Sequence, residues 1–72
     1  EGMARKGKRE LARYLNIALG SLSETACQLY AARAVGLISE ETYRRMSATH
    51  QNAGRLTWLY YAAIRRRLTE EK

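Results

Sequence analysis

Along the first half of the chain, Leu11, Leu15, Ala18, Leu22, Thr25, Leu29 and Ala32 recur at alternating steps of four and three. That period places them on one stripe of an α-helix, whereas a half-buried strand would alternate at every second residue. Gly7 weakens helix, so residues 1–7 read as a fraying lead-in and the helix is expected from about residue 8 to about residue 35. Gly36 then stands where a left-handed residue closes a helix, with Leu37 and Ile38 expected to pack back against it. Ser39 has the chemistry of an N-cap, and Glu40 and Glu41 suit the positive end of a following helix dipole. Residues 36–39 therefore read as a short connection that makes its two helices antiparallel neighbours.

The second helix is expected from about residue 40 to about residue 68, with Tyr43, Met46, His50, Ala53, Leu56, Tyr60, Ala63, Ile64 and Leu68 on its core-facing stripe. The polar end, Thr69 to Lys72, is expected to fray. Each helix also shows a second face. On the first, Ile17, Gly20, Glu24, Cys27 and Ala31 repeat at helical spacing opposite the leucines, and the second adds Trp58, Leu59 and Tyr61. A two-helix hairpin buries one face of each helix. These eight positions therefore mark a bundle or oligomer interface, covered by missing sequence or by other subunits. The expected fold is all-α: one domain over residues 1–72, an antiparallel long-helix hairpin forming part of a four-helix-type bundle.

Length sharpens that expectation. At 72 residues a single core is marginal, and chains this short usually draw on disulfides, metals or partner subunits. Cys27 is the one cysteine, which excludes an internal disulfide and cannot by itself build a zinc site. Homo-oligomerisation is left as the source of further burial, and a reducing cytoplasm is the simplest compartment. No apolar run approaches the roughly 20 residues that cross a bilayer, and no signal-peptide pattern is present, so no membrane association is expected.

Thirteen basic against seven acidic residues leave a formal charge of +6. Such a surface suits a polyanion, and RNA or DNA is the expected partner. In an antiparallel hairpin Lys6, Lys8, Arg9 and Arg13 come near Arg65, Arg66 and Arg67, with Trp58 and Tyr61 a turn or two away. This end-patch can hold a phosphate backbone by charge; the alternative is a solvated surface whose arginines only complement a helix C-terminus. Arg44 and Arg45, at the other end, are offset by Glu40 and Glu41.

The run RELARYLNIALGSLSETACQLYAARAVGLIS, followed by a second long helix, resembles the four-helix-bundle family of 23S rRNA intervening-sequence proteins. The resemblance is carried by Leu11, Leu15, Ile17, Ala18, Gly20, Ser21, Leu22, Glu24, Gln28 and Leu29, then by Gly36, Leu37, Ile38 and Ser39. Leu11 and Leu37 replace the family's usual aromatics. Glu1-Gly2 is similar to the end of the family's Asn-Ile-Ala-Glu-Gly segment. The chain is accordingly expected either to be the carboxyl-terminal portion of a longer protein or to have subunits that complete one another's bundle. The resemblance implies an oligomeric helical protein, in some members a ring of five. It also implies kinship with basic accessory bundles of diversity-generating retroelements, which bind reverse transcriptase and nucleic acid.

No Walker loop, dinucleotide fingerprint, metalloprotease helix or nucleophile motif occurs, so neither enzymatic activity nor a cofactor is expected. His50, the single histidine, falls on the core stripe without a ligating or catalytic companion and reads as a packing residue. Cys27 reads as a small apolar filler, and Glu24 as a structural carboxylate that needs a basic partner wherever it is buried. The expected function is non-enzymatic binding of RNA or DNA through the end-patch of an oligomeric bundle. The rival is a protein–protein adaptor or assembly scaffold whose apolar face receives another protein and whose charge serves solubility.

Overall fold

The computed structural model describes residues 2–70; Glu1, Glu71 and Lys72, at the two expected fraying ends, lie outside the described residues. Two helices make up the fold, α1 (Gly2–Ala34) and α2 (Glu40–Glu70), packed side by side as an antiparallel hairpin. The body measures 52 × 15 × 13 Å, the length that a 33-residue helix reaches at about 1.5 Å per residue. Its radius of gyration is 16.2 Å, against about 11 Å for a compact chain of this length.

The connection follows local backbone chemistry. Gly36 takes φ 82°, the left-handed conformation that glycine adopts without a Cβ clash. The Leu37 amide donates to the Ala32 carbonyl (2.9 Å) and the Gly36 amide to the Arg33 carbonyl (3.0 Å), the paired bonds of a Schellman motif. Ser39 caps α2: its hydroxyl oxygen accepts from the Thr42 amide at 3.1 Å, and its carbonyl from the Tyr43 amide at 2.9 Å. Ile38 is half-buried as expected, but Leu37 is 79% exposed and does not pack back, because a two-helix turn has nothing above it to pack against.

Three cross-links fasten the hairpin along its length. At the turn, the Arg33 guanidinium lies 4.1 Å from the Tyr43 ring centroid and 5.2 Å from that of Tyr30, and reaches Glu40 at 3.4 Å. Midway, His50 Nε2 bonds to the Leu22 carbonyl. At the open end, Arg5 donates to the Leu68 carbonyl at 3.1 Å. This last bond and the half-buried Lys8 explain why α1 extends back to Gly2, past the glycine that was expected to fray it.

The seam differs from the sequence stripes by a small rotation. In α1, Leu15, Ala18, Leu22, Leu29 and Ala32 are half-buried, while Leu11 and Thr25 are exposed; Ala12, one residue off the stripe, is the one buried residue among those described, at 7% exposure. In α2, Ala63 is half-buried but about 100° round the helix from Ile64, while Tyr43, His50, Ile64 and Leu68 lie toward α1 as expected. Met46, Ala53, Leu56 and Tyr60 do not; Ser47, Gly54, Thr57 and Tyr61 are half-buried in their place. Ser47 and Gly54 carry little or no side chain at the seam and the bulkier residues lie on the flank, although a Cβ at Gly54 would meet nothing within 4 Å, so no close approach requires that glycine. An apolar residue on a flank is buried only when a third element covers it.

Candidate nucleic-acid interface

Helical phase gives the hairpin two unlike flanks. On one, near the open end, an open groove of about 400 Å³ runs between the helices. Arg5, Arg9, Arg13 and Arg65 line it together with Asn16 and Tyr61, and among the described residues no carboxylate does. Arg9 and Arg65 face each other across the groove because antiparallel packing sets the first turns of α1 beside the last turns of α2. Arg13 is partly engaged, paired with Glu10 at 3.1 Å and lying 4.8 Å from the Tyr14 ring centroid. That pair is exposed and weak, so it leaves Arg13 available to another anion.

Arg65 is held in place. Its guanidinium donates to the Tyr61 hydroxyl at 3.3 Å, and the Tyr61 ring stands 5.8 Å from that of Trp58 at a tilt of 40°. Arg65, Tyr61 and Trp58 thus form a row along the groove side of α2, with 54% of Trp58 open to solvent.

Of the seven cations expected at this end, Arg9, Arg13 and Arg65 line the groove, and Lys6, Lys8, Arg66 and Arg67 do not. Three consecutive arginines cannot share a face, because neighbouring helical residues point about 100° apart. Arg66 and Arg67 fan away from the groove and are exposed, as is Lys6; Lys8 is half-buried toward α2. Arg5 was missed as a site residue. Its place depends on contact with Leu68, 63 positions along the chain, which no local pattern reports.

The eight expected interface residues do not make one surface. Ile17, Gly20, Glu24, Cys27 and Ala31 are exposed along the outer side of α1, and Glu24 makes no ion pair among the described residues. Leu59 is exposed on the outer side of α2, while Trp58 and Tyr61 belong to the groove side. Exposed apolar side chains of α2 gather instead on the flank opposite the basic groove, among them Met46, Leu56 and Tyr60. There Thr25, Leu29, Thr42, Met46, Thr49 and His50 line a second depression of about 410 Å³, with Arg45 as its one charged wall. The exposed Ala53, Leu56 and Tyr60 carry the strip onward at helical spacing from Met46. The signal for it was the second-helix stripe itself, read as core.

Among the described residues no helix is long and apolar enough to cross a membrane, and no cluster of three or more His, Cys, Asp or Glu could hold a metal ion. The class of protein is therefore a small all-α hairpin with a basic groove on one flank and an uncovered apolar strip on the other. The family model for 23S rRNA-intervening sequence proteins matches residues 1–59, and the chain belongs to this family. The match takes in α1, the turn and α2 as far as Leu59, so Trp58 falls inside it and Tyr61 and Arg65 beyond it. Comparison with curated proteins and with solved structures gave no match.

Proposed function

We propose that this chain is a non-enzymatic protein of a reducing cytoplasm that assembles with copies of itself through its apolar flank and binds RNA or DNA backbone through its basic groove. The observation that carries the reading is the unequal make-up of the two surfaces: four arginines gather in one groove, and Met46, Leu56 and Tyr60 lie on the other flank, where Arg45 is the one cation lining the depression. Phosphates suit the first, because guanidinium groups hold them by charge and paired hydrogen bonds.

Exposed area supports the second. The chain exposes 5740 Å², whereas a compact protein of its mass would expose about 4,500 Å². The excess, about 1,200 Å² per chain, is the amount that a stable homodimer interface removes from each copy. The adaptor reading draws on the same flank, with a different protein as its cover.

The test is a polarisation titration with a structured RNA at two salt concentrations, run on the wild-type chain and two double variants. Arg9→Gln with Arg65→Gln is expected to weaken binding and to lower the salt slope by about 2, roughly one unit per lost phosphate contact. Arg66→Gln with Arg67→Gln is expected to do less. No affinity at low salt refutes the nucleic-acid reading. A monomeric mass at all concentrations together with that result favours the adaptor.

A further inference from the structure

We infer that the basic groove takes single-stranded rather than duplex nucleic acid, with Trp58 as the platform on which an unpaired base stacks. This rests on the nucleic-acid reading above and narrows it to one class of ligand.

Trp58 adjoins the groove without lining it, next to the Tyr61 ring that does. It lies two turns, about 10 Å, before Arg65 along α2, and Tyr61 stands between them in contact with both. Trp58 is 54% exposed, with the Tyr61 ring beside it. An exposed indole beside guanidinium groups is the pairing that binds unpaired bases. The cations track the backbone, and the ring takes a base face without regard to sequence. Tyr61 is half-buried at the seam, so the second ring of the platform is oriented by its packing, and its hydroxyl accepts from Arg65. The faces of a duplex's internal bases are occupied by one another, which leaves the platform to unpaired bases and to a duplex end.

Shape agrees with chemistry. The groove is an indentation between two helices in a body 15 by 13 Å across. One strand can lie in such an indentation with its phosphates on Arg9, Arg13 and Arg65 and a base turned toward Trp58, whereas a duplex can only rest across its rim.

Trp58 is the single tryptophan, so its emission reports on the site directly. Ten-residue oligo-dT and oligo-U, and a ten-base-pair duplex, would be titrated into the full chain at low salt. The single strands are expected to quench the emission and the duplex, which offers the ring only its ends, to quench it less. Trp58→Ala is expected to weaken single-strand binding by about fivefold or more, with Trp58→Phe recovering part of the loss and duplex affinity changing less. Far-UV circular dichroism checks that the variants stay helical; if Trp58→Ala does not, the wild-type quench and Trp58→Phe decide. Unquenched emission on single-strand binding, or a helical Trp58→Ala that binds as the wild type does, overturns the stacking assignment and leaves charge-only binding in place. Absence of binding by both single strands and duplex overturns the nucleic-acid reading itself.

Discussion

Leu56→Ala is the sharpest test of what the apolar flank is for. In the isolated hairpin Leu56 is 45% exposed, away from the seam with α1. Full burial of a leucine side chain contributes about 1.5–3 kcal/mol, so covering the open portion contributes about 0.7–1.4 kcal/mol per copy. A two-fold pair buries the residue twice, which doubles the term to about 1.4–2.8 kcal/mol and raises the dissociation constant about 10- to 100-fold. The hairpin itself should lose little, because leucine and alanine are both strong helix formers. Sedimentation equilibrium over a concentration series measures the change. Ile17→Ala, on the outer side of α1, is the paired control and is expected to leave association as it was. The reasoning is refuted if Leu56→Ala associates like the wild type while Ile17→Ala dissociates. It is refuted equally if the wild-type chain stays monomeric and fully folded at every concentration.

Two further predictions concern the hairpin's own stability. Gly36→Ala forces a Cβ into a backbone held at φ 82°; a loss of about 1–2 kcal/mol is expected, seen as a fall of at least about 4 °C in Tm, with Gly36→Asn losing less. Arg33→Met keeps much of the side-chain volume but removes the cation from between Tyr30 and Tyr43. It should cost about 1 kcal/mol by urea denaturation and alter the tyrosine signal in near-UV circular dichroism, and an unchanged midpoint would show that the stack contributes nothing.

The turn was legible because its determinants are local. Gly36 is read by its missing Cβ and Ser39 by its hydroxyl, and neither needs a distant partner to act. The phase of α2 was not. Apolar periodicity marks every surface destined for cover, and it does not separate the seam with α1 from the flank beside it. Ser47 and Gly54 sit at the seam although neither is an apolar stripe residue, Thr57 lies there as its place near the stripe predicts, and Met46, Leu56 and Tyr60 have the period of core residues and lie outside it. The basic end was placed by antiparallel topology alone, which brought Arg9 and Arg65 together. Which cations line the groove is not legible in the same way: a helix spreads residues 65–67 around its axis, so Arg65 alone of the three lines it, and the place of Arg5 depends on a bond to the far end of the chain.

The long, thin shape gives the molecule a direction. Its two tips lie some 50 Å apart and differ in chemistry. One carries the arginine groove and both the first and the last described residues; the other presents the bare side chains of Val35 and Leu37. The chain leaves the described body at Gly2 and at Glu70, both at the end that carries the cations, while a probe attached at the loop sits the full length of the rod away from them. Copies laid flank to flank in the same sense would gather their arginines at one pole, and copies laid head to tail would divide them between two.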